Sequence, residues 1–324
     1  MIEWQLFWYR KMAAAEQRLK VRAAAPDWFH WAIGQQGQSR HVKVEGCSIH
    51  YLLWQPEDST NSYGENPRGV LFVHGGGAHA HWWSHVAPFF RDGYRVAAID
   101  LSGMGDSGTR PGEVYNATIR AEEIHAVIED GGLGPKPFLV GHSFGGFMSM
   151  RYASLYGENL GGMVIADSPL RPPGEDQGRG RRASPMGAIR LYPDFDEAVA
   201  RFRLRPRQVC ENRFIVEYIA RHSLKEMEGG WTWKFDSNAM SGRRFAEPFH
   251  EHLAAVNCPT ALFIGADSAL VTDEMARYTN GLMGPDAPLI VIPAAQHHLM
   301  LDQPLAFVAA LRVQLANWQR KAVY

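Results

Sequence analysis

The sequence predicts an α/β protein: a mostly parallel, doubly wound sheet with a helical cap inserted after the sixth strand. Three observations carry this reading. Short runs rich in Val, Ile, Leu and Phe recur at Val70 to Val73, Arg95 to Ile99, Pro137 to Val140, Met163 to Ala166, Thr260 to Ile264 and Leu289 to Ile292. Segments of helical periodicity, such as Thr118 to Glu129, Phe147 to Tyr156 and Asp273 to Leu282, lie between many of them. Continuous apolar strands alternating with helices mean a parallel sheet covered on both faces, because a half-solvated strand would alternate in polarity. From Ser168 to about Asn257 that rhythm fails, giving way to Arg-, Pro- and Gly-rich stretches with two helical patterns, Asp194 to Phe202 and Arg213 to Met227. Such a stretch is too long for a simple connection between consecutive strands.

In chain order, residues 1–40 read as a helical extension, with alanine clusters beside Trp4, Phe7, Trp8, Trp28, Phe29 and Trp31. Aromatics at helical spacing most commonly make core contacts or a lid and only occasionally a membrane-seeking face, and a homodimer contact is also open to this segment. His41 to Glu45 and Ile49 to Trp54 flank Gly46 and predict a strand pair at a sheet edge. Glu57 to Pro67 is polar and reads as a surface loop. The α/β core is expected over residues 41–167 and 258–324, with the cap over 168–257.

Composition narrows the partners. Across 324 residues, 33 Lys and Arg stand against 34 Asp and Glu, and 46% of residues are hydrophobic. Such a chain can bury a large core, and it lacks the basic excess that collects nucleic acid or an anionic membrane. No apolar run approaches the roughly 18 to 20 residues that cross a bilayer. Met1 to Tyr9 is interrupted by Glu3 and Gln5, and Arg10 and Lys11 follow rather than precede it, so no targeting segment is expected. Cys47, Cys210 and Cys258 are far apart, with no CxxC pair, which favours a reducing, cytoplasmic setting.

The strongest chemical signal is Phe138-Leu139-Val140-Gly141-His142-Ser143-Phe144-Gly145-Gly146, which leads from a buried strand into a helix. Gly-x-Ser-x-Gly in that context lifts the serine hydroxyl above the sheet edge on a strained turn, which makes Ser143 a candidate nucleophile. A serine hydroxyl needs a base to take its proton as it attacks. His297 and His298, just beyond the last apolar strand, are the candidates.

With these residues the chain resembles the α/β-hydrolase family over roughly residues 40–320. The family order of nucleophile, acid and histidine is kept. His297, Asp302 and Pro304 also match a family spacing in which an acid and a proline follow the histidine by five and seven residues, so the resemblance selects His297. It further implies that Val73-His74-Gly75-Gly76-Gly77 is the family's His-Gly loop, with the backbone N–H groups of Gly76 and Phe144 as the oxyanion hole. Two acids stand open. The commonest family arrangement is Gly-x-x-Asp after the seventh strand, but Gly265-Ala266-Asp267-Ser268 puts serine at that step and Asp267 one residue early. Some members take the acid from the preceding sheet strand, where Asp167 stands in Ala166-Asp167-Ser168, and Asp167 is favoured.

Three further patterns offer competing chemistry. Gly103-Met104-Gly105-Asp106-Ser107-Gly108 has the GxGxxG form, yet no helix follows it to receive a pyrophosphate, so no cofactor is expected. His79, His81 and His85 lack carboxylate or cysteine company and read as pocket-rim or solvated residues, so no metal is expected. The cap arginines Arg179, Arg181, Arg182, Arg201, Arg203, Arg205 and Arg207 read as a solvated face, or as a means of attracting a carboxylate-bearing substrate.

Motif and resemblance together imply a cofactor-independent serine hydrolase acting on a small hydrophobic carboxylic ester through an acyl-enzyme. Carbon–carbon bond or lactone hydrolysis is the alternative within enzymes. A small-molecule receptor with little turnover is the alternative outside them.

Overall fold

Ten strands are present among the residues that the computed structural model describes, which are 25–57, 68–110, 115–174, 190–240 and 247–321. The expectations for residues 1–24, for most of the loop before Arg68, and for Arg179, Arg181 and Arg182 lie outside them. The strands are β1 (Gln38–Val44), β2 (Cys47–Trp54), β3 (Gly69–Val73), β4 (Arg95–Ile99), β5 (Phe138–His142), β6 (Gly162–Ala166), β7 (Leu224–Met227), β8 (Gly230–Trp233), β9 (Thr260–Gly265) and β10 (Leu289–Ile292). Eight of them form one sheet in the order β1-β2-β4-β3-β5-β6-β9-β10. β2 runs antiparallel to both β1 and β4, and every pairing from β4 through β10 is parallel.

The continuous apolar runs follow from burial on both faces. Val70 and Phe72 join a layer with Trp83, Phe90 and Phe307, whereas Leu71 and Val73 join the other with Ile124, Val127 and Met148. The first layer is covered by α1 (Asp27–Gly34), two 3-10 turns at Ala80–Trp83 and Ala87–Phe90, and the C-terminal helix Pro304–Lys321. The second is covered chiefly by α2 (Ala117–Asp130) and α3 (Phe144–Tyr156). Full burial of a side chain such as Phe72, with no exposed surface, contributes about 1.5–3 kcal/mol. The start of α2 is set by Asn116, whose Oδ1 accepts the Ile119 N–H at 2.9 Å.

Between β6 and β9 the chain forms α4 (Phe195–Ala200), α5 (Arg213–His222), the β7–β8 hairpin and α6 (Phe249–Ala254). The helical pattern read from Arg213 to Met227 is therefore too long. The helix ends at His222, where the Ser223 hydroxyl bonds back to the Ile219 carbonyl at 2.8 Å. Leu224 to Met227 then become a strand because Gly229 and Gly230 adopt φ of +90° and +138°, which lets the chain reverse. The aromatic segment before β1 bridges this insert and the sheet: Phe29 stacks edge-on to Phe214 of α5 at 4.8 Å, and Trp31 meets Phe89 at 4.8 Å. After β9 come α7 (Asp273–Met283), α8 (Leu299–Asp302) and α9 (Pro304–Lys321). No helix among the described residues is long and apolar enough to cross a membrane.

Candidate active site

β5 passes into α3 through Ser143, whose φ of 53° lies in the left-handed region. Holding a non-glycine residue there costs about 1–3 kcal/mol, and neighbouring bonds sustain it. The Ser143 N–H donates to the Ala166 carbonyl at 2.8 Å, and the Ser168 hydroxyl donates to the Ser143 carbonyl at 2.8 Å. Gly145 is required by proximity, since a β-carbon there would fall 2.5 Å from the carbonyl oxygens of both Val73 and His74.

His297 stands on the loop between β10 and α8. Its Nε2 lies 3.0 Å from Ser143 Oγ, and its Nδ1 lies 2.8 Å from Asp167 Oδ1. Both His297 and Asp167 are buried. With a carboxylate at Nδ1, that nitrogen carries the proton, leaving the Nε2 lone pair to accept the Ser143 hydroxyl. Asp167 is itself held: Oδ2 accepts the Gly265 N–H at 2.9 Å and Oδ1 accepts the Ser268 hydroxyl at 2.7 Å. Asp267 is exposed and has no bond to His297. The residue at the step where the resemblance expects an acid is thus Ser268, and its hydroxyl supports Asp167.

The loop carrying His297 is fastened by two residues that the sequence reading did not put to that use. The His142 Nε2–H donates to the His297 carbonyl at 2.9 Å. Burial pushes the His142 imidazole well below its ordinary pKa, so it stays neutral in this bond. Its only sequence signal is its place beside the elbow serine. Asp302 accepts the Gln296 N–H at 2.8 Å and the Gln208 side-chain amide at 2.8 Å, with its carboxyl pushed up chiefly by desolvation. His298 makes no bond to Ser143: it is buried, with its ring 5.2 Å from that of Trp82 and 4.8 Å from that of His297.

Gly76 and Phe144 border the same space. A β-carbon built at Gly76 would lie 3.6 Å from Phe144 Cβ and would collide with the Met240 methyl group. Neither backbone N–H has an acceptor among the described residues. His74 steadies the turn, its Nδ1–H donating to the Gly75 carbonyl at 2.7 Å while Nε2 accepts the Leu101 N–H at 3.1 Å.

The remaining patterns resolve into structural parts. The GxGxxG loop folds over Asp100, which accepts the Asp106 N–H at 2.8 Å and the His50 Nδ1–H at 2.7 Å. Burial opposes ionisation of Asp100, but the bond and charge of His50 hold it below the usual carboxylate range. His79 lines the cavity described below, with Nε2 2.8 Å from the Ser223 hydroxyl. His85 corrects the solvated reading: it is fully buried, bonds to the Met300 carbonyl at 3.0 Å, and is pushed down to about 4 by desolvation. His142, His297 and His298 form one of two groups of possible metal-ligating atoms within 4.8 Å of one another among the described residues. In that group both His297 nitrogens and Nε2 of His142 are already engaged by the bonds above.

A cavity of about 860 Å³ opens over Ser143 and His297 at the carboxyl ends of the parallel strands, walled by Trp82, Phe147, Phe202, Trp233 and Phe235. Open α/β sheets place ligands at this end. A smaller cavity of about 400 Å³ lies at the opposite strand ends, near Gly161, Pro259 and Trp318.

Comparison with known proteins gives a consistent picture. The sequence profile of the "Alpha/beta hydrolase family" matches residues 70–311. Esterase Rv0045c of Mycobacterium tuberculosis is 26% identical over 280 residues, covering 83% of this chain and 87% of the esterase. Epoxide hydrolase 4 of Mus musculus is 24% identical over 284 residues, covering 81% of this chain and 75% of its own. Among solved structures, E-2-(acetamidomethylene)succinate hydrolase superposes with a TM-score of 0.70 at 22% identity, covering 85% of this chain and 97% of that one, a likeness of fold.

Proposed function

This chain belongs to the alpha/beta hydrolase family and is a hydrolase, and from that premise we propose that it cleaves carboxylic esters of small molecules through an acyl-enzyme on Ser143. One observation carries the reading: Ser143 Oγ, His297 Nε2 and Nδ1, and Asp167 Oδ1 lie in sequence at 3.0 and 2.8 Å. In the proposed reaction, His297 takes the Ser143 proton as Oγ attacks the ester carbonyl. The tetrahedral oxyanion is met by the Gly76 and Phe144 N–H groups, each donor contributing about 10²–10³ in rate. His297 then passes the proton to the departing alkoxide, and the alcohol leaves. Water, deprotonated by His297, attacks the acyl-serine, releasing the acid and returning the proton to Ser143. Asp167 holds the imidazole tautomer and offsets the imidazolium charge throughout.

The same residues serve carbon–carbon bond or lactone hydrolysis, so the substrate panel decides between them. Serine at the elbow argues against an epoxide-opening reaction that begins from a carboxylate nucleophile. The test is a panel of p-nitrophenyl esters of graded chain length with a lactone and a vinylogous diketone, alongside fluorophosphonate labelling, each repeated in Ser143→Ala. Ester turnover and labelling that both vanish in the variant support the proposal. Labelling with tight ligand binding but negligible turnover of every substrate would favour a receptor instead.

A further inference from the structure

We infer that the cavity over Ser143 takes a substrate with an anionic end, its apolar body against the aromatic wall and a carboxylate or phosphate at the mouth. For the reaction itself this rests on the ester hydrolysis proposed above; for binding it stands alone. Six cationic residues line the cavity, Arg190, Arg201, Arg203, Arg205, Lys225 and Lys234, and no Asp or Glu does so among the described residues. The whole chain carries a formal charge of only −1, so this is a local accumulation and not a general basicity.

Two of the six are compensated. Lys234 Nζ is 2.7 Å from an Asp106 oxygen, and Arg201 has Glu197 at 3.9 Å. Arg190 lies over the Tyr192 ring at 5.3 Å, and Arg203 donates to the carbonyls of Ala200 and Phe202, both at 2.7 Å. Those contacts orient the guanidinium groups without neutralising them. Arg205 and Lys225 have no carboxylate partner within 4.0 Å among the described residues. A run of exposed arginines on one helix face would be an ordinary solvated surface. Here the four cations without a paired carboxylate among the described residues, Arg190, Arg203, Arg205 and Lys225, arrive from three places, the stretch before α4, the loop after it and strand β7, and line one cavity. Charges of one sign over low-dielectric walls focus their field into the opening, which concentrates and orients an oppositely charged ligand.

The test uses three esters of one acyl length. p-Nitrophenyl octanoate is neutral, p-nitrophenyl hydrogen suberate puts a carboxylate on the far end of the acyl chain, and 4-octanoyloxybenzoate puts it on the leaving group. At least one anionic ester is expected to exceed the neutral one in kcat/KM, and which one does so tells on which side of the carbonyl the cations act. In Arg205→Gln/Lys225→Gln the anionic-to-neutral ratio is expected to fall about tenfold. The charge-keeping pair Arg205→Lys/Lys225→Arg restores it, which separates charge from packing. In the unaltered protein the ratio also falls between about 20 and 300 mM NaCl, because exposed charges are screened. Equal ratios in all proteins at all salt concentrations would overturn the inference. If no ester turns over, the hydrolytic reading fails, and calorimetry on Ser143→Ala decides the anion site separately. Monomethyl suberate binding more tightly than dimethyl suberate, with the difference lost in the Gln pair, supports it, and equal binding overturns it.

Discussion

Asp167 and His297, 130 residues apart, meet at 2.8 Å, and the carboxylate comes from the end of β6 rather than from the strand after the insert. The sheet register explains this. His142 pairs with Ala166, so Ser143 and Asp167 each stand one residue beyond a paired position on adjacent strand ends. Asp167 takes φ of 49°, which turns the chain at that point while the Gly265 N–H and Ser268 hydroxyl hold its oxygens.

Asp167→Asn is expected to lower kcat by about 10³–10⁴, since an amide leaves the imidazole in the wrong tautomer, as seen in other serine hydrolases. Asp267→Asn is expected to stay within about twofold. Steady-state kinetics on a p-nitrophenyl ester checks both, and an equal loss in Asp267→Asn would sink the assignment.

Ser268→Ala removes one of the donors to the Asp167 carboxylate. A hydrogen bond to a charged group contributes about 1.5–3 kcal/mol, and the remaining partners soften the loss, so kcat should fall about tenfold with little change in KM. Ser268→Thr should recover most of it. Unaltered kcat in the alanine variant would show that the hydroxyl plays no supporting part.

His142→Ala cuts the bond to the His297 carbonyl and should loosen the loop. The expected signature is a kcat lower by about tenfold with KM unchanged, because the imbalance appears when the imidazole must track the reacting proton. His142→Gln, which keeps a donor, should fall in between. A rise in KM without a change in kcat would contradict this role.

His85 predicts a pH dependence of stability. Burial places it at about 4 in the folded chain, while an unfolded histidine titrates near about 6.5. Between those values the unfolded chain holds the extra proton, so stability falls as pH falls, by up to about 1.4 kcal/mol per pH unit, and levels off below the folded value. His85→Gln should flatten the slope of urea-unfolding free energy against pH by about one proton in that window. An unchanged slope would show that His85 does not carry the effect.

Gly145→Ala should destabilise the fold by about 3 kcal/mol or more, because its β-carbon would meet two backbone oxygens at 2.5 Å and neither can rotate away. Thermal unfolding checks this, and a Tm within a degree or two of the parent would mean that the elbow can widen.

The insert between β6 and β9 shows where periodicity in the sequence reaches its limit. Helical periodicity located α4 and α5, but it carried the second helix through β7, because Leu224 to Met227 suits either structure until the Gly229-Gly230 reversal brings Trp231 and Trp233 alongside. The cluster His79, His81 and His85 had the same ambiguity. Only packing separates a cavity-lining imidazole from one sealed in the core.

From the chain alone came the layer order of the α/β core, the strand-to-helix elbow at Ser143 and the histidines beyond the last strand. These follow from period, glycine placement and near neighbours, which act over a few residues. The tertiary structure decided that Asp167 rather than Asp267 reaches His297, that Ser268 and His142 brace that pair, and that six cations from separate segments line one cavity. Each of those depends on strand register or loop packing across tens to hundreds of residues, where distance in space is set by the whole sheet and not by local pattern.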